Sequence, residues 1–323
     1  MELTAVIMAA GAGKRMHSSI PKVLHKVCGV ELVRHAMRAC AFCGRPVVVI
    51  GSGAQQVRQT LGNAADYALQ AEQLGTGHAV KMAAEYLKGK KGYTLVLAGD
   101  MPLLQEDTLK ALVELAQREH SAAAVLTAEL DDPTGYGRIL RRTDGAVSAI
   151  VEHRDAREEQ RAVKEVNSSV YCFETEALLN TLDRIGNQND QKEYYLTDCI
   201  GLLVGDGRRV SALKAPAEEC MGVNDQIQLA ACGKILQRRI NQAHMRAGVT
   251  IIDPETAYIG AMVQIGAGAL IYPGNVLEGR TVIGTGAVLY PGNFLRDTTV
   301  LPGRKVGPNA VLLGQMSGTE RIL

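Results

Sequence analysis

The residues that follow Gly248 repeat with a period of six, and this repeat restricts the fold more than any other feature of the sequence. Apolar residues stand six apart at eight consecutive positions: Ile259, Ile265, Ile271, Leu277, Ile283, Leu289, Leu295 and Leu301. The series resumes one residue early at Val306 and Leu312, and smaller residues recur four positions after most of its members: Val263, Ala269, Asn275, Thr281, Ala287, Asn293 and Thr299. A period of six matches neither a single strand nor a helix, but it fits a parallel β-helix in which each hexad forms one side of a triangular coil. We therefore predict a short parallel β-helix over residues 249–323.

Residues 3–224 follow a different pattern, in which short strand-like runs alternate with helical ones. The strand-like runs are LTAVIM, PVVVIG, YTLVLAG and AAAVLTAEL, and the helical runs between them are ELVRHAMRACAF, AQQVRQTL and EDTLKALVELAQRE. This alternation predicts an α/β domain with a parallel sheet covered by helices. In such sheets, ligands bind where strands end and helices begin.

A third segment joins these two regions. It reads NDQIQLAACGKILQRRINQAHMRA, with apolar residues at near-helical spacing after an Asn/Asp start that can cap a helix. We therefore predict a first domain over residues 1–223, a linker helix over 224–248 and the β-helix over 249–323.

Charge and hydropathy argue against two classes of partner. The chain has 35 basic and 34 acidic residues, so its net charge of +1 creates no field that favours nucleic acid or an anionic membrane. No apolar run approaches the roughly 20 residues that span a bilayer, and the N-terminus lacks a basic region followed by a cleavage site. We expect a cytoplasmic protein whose anion sites are local.

The segment MAAGAGKRMHSSIPKVL, from Met8 to Leu24, is the first candidate site. It follows a strand-like run, and its glycines allow backbone N–H groups to approach the oxygens of a ligand closely. Arg15 and Lys22 can clamp a polyphosphate from two sides. The alternative interpretation is a strand-to-helix connection without a ligand.

The segment VLAGDMPL is the second candidate site, because it places Asp100 directly after an apolar strand. An aspartate at the carboxyl end of a sheet strand lies where magnesium and phosphates meet in open α/β folds. Taken alone, the Gly–Asp pair also fits an ordinary turn.

Several motifs together resemble the uridyltransferase half of the bacterial bifunctional N-acetylglucosamine-1-phosphate uridyltransferase/glucosamine-1-phosphate acetyltransferase family. In order they are MAAGAGKRM, PKVL, QAEQLGTGHA, AGDMPL, DDPTGYGRI, IVEHRDA, EVNSSV, EYYLTD and GVND. The resemblance covers residues 3–250 and continues into the hexads. It implies a Rossmann-like nucleotidyltransferase domain with a mixed, mainly parallel sheet, followed by a linker helix and a short left-handed parallel β-helix.

The resemblance also implies a role for each matching residue. The two catalytic cations that bind phosphates are Arg15 and Lys22. The nucleotide-binding positions are Ala9, Ala10, Gly11, Gly13, Gln70, Gly75 and Thr76. The positions that hold the N-acetyl sugar or form the wall beside it are Gly99, Gly137, Glu152, Asn167, Tyr194 and Thr197. The Mg²⁺ ligands are Asp100 and Asn224.

The implied reaction is Mg²⁺-dependent uridylyl transfer from UTP to N-acetylglucosamine 1-phosphate. Two alternatives stay open: nucleotidyl transfer to another sugar phosphate, such as N-acetylgalactosamine or glucose 1-phosphate with UTP or dTTP, and a non-catalytic sugar-nucleotide-binding subunit. Ala98 bears on the first alternative, because the family often has a tyrosine at that place beside the sugar.

The hexads also differ from the family pattern. Acetyl transfer in the family uses a histidine base in a much longer β-helix, whereas all seven histidines of this chain precede the hexads. We therefore expect no acetyltransferase activity. The β-helix is interpreted as a structural element or as one that joins three copies of the chain in a homotrimer.

Overall fold

The computed structural model describes residues 2–314 and 316–317, which form two compact units. The first unit comprises the residues up to His25 together with Leu32–Asp225, and the second comprises Lys26–Glu31 and the residues from Gln226 onward. Met1, Gln315 and residues 318–323 of the predicted domains lie outside the described residues. The boundaries after residues 223 and 248 stay predictions.

The helices and the first eleven strands alternate along much of the chain, as predicted, although some strands follow one another without an α-helix between them. In chain order these strands are β1 (Glu2–Ala9), β2 (Lys26–Val27), β3 (Val30–Glu31), β4 (Val47–Ile50), β5 (Asp66–Leu69), β6 (Gly92–Ala98), β7 (Ala123–Glu129), β8 (Arg138–Arg141), β9 (Val147–Val151), β10 (Glu165–Glu174) and β11 (Val210–Lys214). The helices are α1 (Leu32–Ala39), α2 (Ala54–Leu61), α3 (Thr76–Met82), α4 (Ala84–Leu87), α5 (Glu106–Arg118), α6 (Glu158–Arg161), α7 (Thr175–Leu182), α8 (Asp198–Gly205) and α9 (Gln226–Arg246). Within the described residues, no helix combines the length and the apolarity needed to cross a membrane.

The sheet of the first unit brings three loops to one edge. Its order is β11-β7-β10-β6-β1-β4-β5, with β8 beside β10 and β9 beside β8. Neighbouring strands of this order run parallel, except that β10 is antiparallel to both β6 and β7. The predicted Rossmann-like domain with a mixed, mainly parallel sheet is confirmed. Ala9 lies opposite Ile50, and Met8 lies opposite Ala98, so the loops after β1, β4 and β6 leave the sheet at the same edge.

The central strands of this sheet are buried on both faces, which explains why they appear as continuous apolar runs in the sequence. In β1, Ala5 and Ile7 pack in a cluster with residues of α1, α2 and α5, whereas Val6 packs in a second cluster with residues of α3, α7 and α8. The two cores hold the sheet between two layers of helices, and they leave its carboxyl edge free for function.

The second unit contains a parallel β-helix, as the hexads predict. Its strands are β12 (Thr250–Ile251), β13 (Tyr258–Ile259), β14 (Gln264–Ile265), β15 (Leu270–Ile271), β16 (Val276–Glu278), β17 (Val282–Ile283), β18 (Val288–Leu289), β19 (Phe294–Arg296), β20 (Thr299–Val300), β21 (Lys305–Val306), β22 (Val311–Leu313) and β23 (Met316–Ser317). They form three parallel sheets with the orders β12-β15-β18-β21, β13-β16-β19-β22 and β14-β17-β20-β23. The predicted left-handed β-helix after a helix is confirmed.

The break in the hexad series comes earlier than the sequence analysis places it. Val300, rather than Leu301, points into the core: Val300 is 0% exposed and Leu301 is 38% exposed. In the same way, the buried small residue is Thr298 rather than Thr299. The turn before β20 is one residue short, since Val282 pairs with Thr299 instead of a residue 18 positions later. Asp297 closes this turn with φ of 51°, and its carboxylate accepts a hydrogen bond of 2.9 Å from the Arg280 N–H.

The inward position of Val300 and the exposure of Leu301 predict different responses at these two adjacent positions. Val300→Asp buries a carboxylate without a partner in the β-helix core, so we expect the free energy of unfolding to fall by at least about 3 kcal/mol. Leu301→Asp changes an exposed position, so we expect a change within about 0.5 kcal/mol. Urea unfolding of the full chain, followed by circular dichroism, measures both. An equal or greater loss for Leu301→Asp would restore the uninterrupted hexad register.

Candidate active site

The loop after β1 is packed at its start and open at its tip. Ala9 and Ala10 are buried, and the Ala10 carbonyl accepts a hydrogen bond of 3.1 Å from the Ser52 N–H in the loop after β4. A Cβ atom at Gly11 would meet no atom within 4 Å. Among the described residues, no contact therefore requires glycine at Gly11, whereas an approaching ligand would benefit from the missing side chain.

Gly13 has a different role, because it allows another part of the chain to approach. Its φ of 59° lies in the left-handed region, and a Cβ atom there would come within 2.6 Å of the Lys22 Cβ. Gly13 precedes a short 3₁₀ helix, Lys14–Met16, whose Met16 side chain is buried. The glycine thus lets the loop fold back over the stem of Lys22.

Lys22 contacts both predicted metal ligands. Its Nζ forms an ion pair with Asp100 Oδ2 and donates a hydrogen bond of 3.1 Å to Asn224 Oδ1. The Lys22 and Asp100 side chains are only 14% and 17% exposed. Val223 donates its N–H to the Asp100 carbonyl at 2.9 Å, which holds the GVND segment beside the end of β6. Three segments that are far apart in the sequence meet at this point.

The donor set at this point fits a divalent metal. Asp100 Oδ2 and Asn224 Oδ1 both lie within hydrogen-bond distance of one cationic nitrogen, so the two oxygens converge on a single position. Mg²⁺ prefers oxygen ligands and usually binds through one or two protein groups, with waters and substrate phosphates completing the shell. Within the described residues there is no group of three or more His, Cys, Asp or Glu side chains suited to hold a metal. The site therefore suits a metal that is shared with a substrate.

Arg15 is not joined to this cluster. Its side chain is exposed, and within the described residues it forms no hydrogen bond or ion pair. Arg15 therefore lies on the same loop as Gly11 and Gly13 but is available to an anion from solution.

Gln70 offers one acceptor at the predicted nucleotide-binding position. It is 3% exposed, and its Nε2 donates to the Gly75 carbonyl at 3.0 Å and lies 3.1 Å from His78 Nδ1. The Gly75 carbonyl requires a donor, which fixes the orientation of the amide. Within the described residues, Gln70 Oε1 accepts no hydrogen bond.

Gly75 and Thr76 join the start of α3 to the segment of Tyr194 and Leu196. The φ of Gly75 is 111°, and a Cβ atom there would lie 2.5 Å from the Tyr194 carbonyl oxygen. Thr76 Oγ1 accepts a hydrogen bond of 3.0 Å from the Leu196 N–H. Tyr194 also donates its N–H to the Leu74 carbonyl at 2.8 Å. The hydroxyl of Thr76 is thus used within the chain, and Tyr194 enters the site through its backbone.

Four of the six residues predicted for sugar binding lie close together: Gly137, Glu152, Asn167 and Thr197. A Cβ atom at Gly137 would lie 3.5 Å from Glu152 Oε2 and 3.6 Å from the Asn167 Cβ. The Gly137 carbonyl accepts a hydrogen bond of 2.9 Å from the Asn167 N–H, and Thr197 Oγ1 donates to Glu152 Oε1 at 3.0 Å. These residues come from separate parts of the chain, and Gly137 and Thr197 lie directly against the Glu152 carboxylate.

Within this cluster the Asn167 amide is fixed by the chain itself. Its Nδ2 donates to the Tyr171 hydroxyl at 2.7 Å, and its Oδ1 accepts from the Ser169 N–H at 3.1 Å. The register of β10 shifts between Asn167 and Tyr171, and Ser169 adopts a φ of 63° there. Burial of the Tyr171 hydroxyl raises its pKa.

The Glu152 carboxylate is destabilised in its charged form. Burial raises its pKa above the ordinary value, and the nearby acids Asp155, Asp198 and Glu193 act in the same direction, against the hydrogen bond from Thr197. A carboxylate held in this way accepts hydrogen bonds from incoming hydroxyl or amide groups strongly, because water solvates it poorly.

The predicted site residues do not include two residues that lie against the loop after β1 or the Gln70 backbone, Gly51 and Gln73. A Cβ atom at Gly51 would lie 2.8 Å from the Ala10 carbonyl oxygen and 2.9 Å from Gln73 Nε2, and Gln73 Nε2 donates to the Gln70 carbonyl at 3.2 Å. Gly51 follows the strand-like run PVVVI, so its position at a strand end was a usable signal. No local pattern marks Gln73.

Gly99 was predicted at the sugar, and it lies against β1. Its N–H donates to the Met8 carbonyl at 2.9 Å, and a Cβ atom there would lie 3.1 Å from the same oxygen. A glycine at this place lets the β6 loop pass close to β1 before Asp100.

Comparisons with known proteins show the family of the chain. The family described as MobA-like NTP transferase domain matches residues 5–169, and the chain belongs to this family. Proteins named bifunctional protein GlmU are similar to it. Those of Clostridium acetobutylicum and Geobacillus sp. strain WCH70 are each 50% identical over 281 residues, which are 86% of this chain and 62% and 61% of those proteins. That of Bacillus velezensis is 47% identical over 279 residues, which are 85% of this chain and 61% of that protein. The chain spans about three-fifths of the length of these relatives, and the resemblance stated from the motifs is confirmed.

The environment of Glu152 predicts the sign of a stability change. A raised pKa means that the folded chain holds this proton more tightly than the unfolded chain, so the stabilisation is present at low pH and is lost as pH rises through the folded pKa. Glu152→Gln removes the buried charge and keeps an acceptor for Thr197. We therefore expect its free energy of unfolding at pH 7 to exceed that of the unchanged protein, with the difference shrinking towards pH 4.

Glu165 provides the matched control. Burial acts to raise its pKa, but hydrogen bonds from Arg141 and Thr127 outweigh this effect and lower it. The stabilisation from Glu165 is therefore present above the ordinary carboxyl pKa and is lost as pH falls. Glu165→Gln should lower the free energy of unfolding at pH 7. Urea unfolding at a series of pH values measures both variants, and a loss for Glu152→Gln at pH 7 would contradict the assignment.

Proposed function

We propose that the chain catalyses Mg²⁺-dependent uridylyl transfer from UTP to N-acetylglucosamine 1-phosphate, giving UDP-N-acetylglucosamine and pyrophosphate. The observation that carries the proposal is the convergence of Lys22, Asp100 and Asn224 at the carboxyl edge of the sheet, on the same edge as the open loop at Gly11. The family and the similarity to proteins named bifunctional protein GlmU support the same reaction.

The reaction needs positioning and positive charge more than proton transfer. An oxygen of the sugar 1-phosphate attacks the α-phosphorus of UTP, and the bond from this phosphorus to the bridging oxygen breaks, so that pyrophosphate leaves with the electron pair. The second pKa of a phosphate monoester is about 6, so the attacking group is already mostly dianionic at neutral pH. This explains why the site needs no general base.

The side chains of the site match these requirements. Arg15 is exposed beside Gly11 and can bind the phosphate chain through two parallel hydrogen bonds, while Lys22 supplies a compact charge. A Mg²⁺ held by Asp100 and Asn224 would neutralise the phosphate charge that develops in the transition state. Each of these contacts lowers the barrier that arises when anions are brought together.

The buried Gln70 supports recognition of the uracil base. Its Oε1 is an acceptor without a donor among the described residues, and the N3–H of uracil is a donor. Cytosine has an acceptor at N3, so CTP would place two acceptors against each other. Thymine presents the same N3–H as uracil, so discrimination against dTTP must come from other contacts.

Glu152 supports recognition of the sugar. Its two carboxylate oxygens lie among Gly137, Asn167 and Thr197, and the absence of a side chain at Gly137 leaves room against Oε2. A poorly solvated carboxylate would accept hydrogen bonds from sugar hydroxyls or from the acetamido N–H. Ala98, which is half-buried two residues before Asp100, favours as a second candidate an acceptor of different shape, such as N-acetylgalactosamine 1-phosphate.

We further propose that the enzyme works in the cytoplasm, where UTP is available, and that residues 249–323 do not perform acetyl transfer, since they contain no histidine that could act as the base. A column of outward-facing apolar side chains on one β-helix sheet supports contact with further copies of the chain in a homotrimer. It consists of Tyr258, Val276, Phe294 and Val311. Tyr258 and Val311 are 50% and 65% exposed.

The substrate assignment predicts a rank order of pyrophosphate release. With Mg²⁺, UTP and N-acetylglucosamine 1-phosphate should give the highest kcat/KM in a panel that crosses UTP, dTTP and CTP with the 1-phosphates of N-acetylglucosamine, N-acetylgalactosamine and glucose. A better pair elsewhere in the panel would replace the proposed substrates. Absence of turnover for every pair, with binding of UDP-N-acetylglucosamine, would indicate the non-catalytic alternative.

The metal assignment predicts the effect of one substitution. Asp100→Ala should lower kcat/KM by about 100-fold or more, because about 3 kcal/mol of transition-state stabilisation is lost with such a contact. Asp107→Ala, at an exposed position in α5, is the control and should leave kcat/KM unchanged. Near-normal activity of Asp100→Ala would contradict the role of Asp100.

A further inference from the structure

We propose that Lys22 and the divalent metal exclude each other at Asp100 and Asn224, so that arrival of the metal with its nucleotide transfers the Lys22 ammonium from these oxygens to the phosphates. The inference rests on the proposed function and adds to it a second role for Lys22. In this account Lys22 neutralises Asp100 until the metal replaces it.

The contact itself shows that the two cations compete. One nitrogen reaches both Asp100 Oδ2 and Asn224 Oδ1, and the Lys22 and Asp100 side chains are shielded from water, with exposures of 14% and 17%. A Mg²⁺ ion must come within about 2.1 Å of each oxygen that it binds. An ammonium group bonded to the same two oxygens occupies the space that such an ion needs. If both cations were bound to these oxygens, they would lie close together and repel each other strongly.

The backbone around Lys22 is held in place, so the exchange requires movement of the side chain alone. Val23 is buried in the core of the first unit, and Lys22–Leu24 forms a 3₁₀ turn. Pro21 lies against Gly53, where a Cβ atom would come within 2.3 Å of the Pro21 Cγ, and Gly13 lies against the Lys22 Cβ. The remaining three methylene groups and the ammonium can rotate about this fixed base.

Charge balance shows why the nucleotide should assist the exchange. When a metal alone displaces Lys22, the ammonium loses its carboxylate partner. When the metal arrives with a triphosphate, the released ammonium gains phosphate oxygens. The two binding events are therefore coupled, and the coupling passes through Lys22.

The first test measures metal binding without substrate. In Lys22→Met the competing charge is gone, so we expect Mn²⁺ alone, followed by electron paramagnetic resonance, to bind about tenfold more tightly than to the unchanged protein, which corresponds to about 1.4 kcal/mol. Arg15→Met is the matched control, because Arg15 lies on the same loop and does not contact Asp100 or Asn224; its Mn²⁺ affinity should be unchanged. Equal or weaker Mn²⁺ binding by Lys22→Met overturns the proposal.

Two further variants keep the test decisive. Lys22→Gln removes the charge with a polar side chain and should also bind Mn²⁺ more tightly, which covers the case in which the methionine variant fails to fold. The double variant Lys22→Met with Asp100→Asn should lose the gain, and a retained gain would place the Mn²⁺ elsewhere and overturn the proposal. These measurements use no substrate, so their outcome does not depend on the proposed reaction. The proposed reaction would fail separately, if the unchanged protein formed no UDP-N-acetylglucosamine from UTP and N-acetylglucosamine 1-phosphate.

Discussion

The contact of the Lys22 ammonium with Asp100 and Asn224 is the interaction on which the candidate site depends. It joins Lys22, in the loop after β1, to two distant segments. Asp100 at the end of β6 lies 78 residues further along the chain, and Asn224 in the GVND segment lies 202 residues further along. The parallel sheet makes this meeting possible, because strands with aligned carboxyl ends deliver their loops to one edge. The contact also sets the local charge, since it neutralises a carboxylate that is largely shielded from water.

Close backbone packing determines the shape of the site around this contact. Gly13, Gly51 and Gly75 each stand where a Cβ atom would come within 3 Å of another part of the chain. Gly51 brings the loop after β4 against those after β1 and β5, Gly13 lets the loop after β1 fold over Lys22, and Gly75 lies against Tyr194. Gly11 differs from them, because a Cβ atom there would meet no atom of the described residues within 4 Å. This difference separates a glycine needed for close packing from one that leaves room for a ligand.

Two carboxylates in the site have opposite environments. Asp100 is paired with a cation, which suits a group that binds positively charged partners. Glu152 is paired with the neutral hydroxyl of Thr197. Burial raises the pKa of its carboxyl group, and three nearby acids act in the same direction. The environment of Asp100 fits a carboxylate that binds a metal and, through it, phosphates. The environment of Glu152 fits a carboxylate that accepts hydrogen bonds from a neutral sugar. In the proposed function, Asp100 would act on the charged part of a sugar nucleotide and Glu152 on its neutral part.

Most of the fold could be predicted from the sequence, because its signals are periodic. The six-residue repeat and the alternation of strands and helices both reflect burial at regular intervals, and the structure confirms them. The repeat misplaced Leu301, because one missing residue in the turn at Asp297 shifts the register without changing the composition. The clustering of Gly137, Glu152, Asn167 and Thr197 followed only from the resemblance, since contacts between distant segments leave no local pattern. Three features could not be predicted from the sequence and are seen only in the structure: the hydrogen bond of the Thr76 hydroxyl within the chain, the position of Gln73, and the pairing of Lys22 with Asp100 and Asn224.

The central proposal is that Asp100 and Asn224 bind a divalent metal at the position where Lys22 contacts them, and that Lys22 then binds the phosphates. A crystal structure of the protein with Mn²⁺ and UTP tests this claim most directly, because the anomalous signal locates the metal. The account predicts one Mn²⁺ within bonding distance of Asp100 and Asn224 oxygens, with Lys22 Nζ on the phosphate oxygens. Bound Mn²⁺ and UTP with Lys22 Nζ still between Asp100 and Asn224 would contradict it.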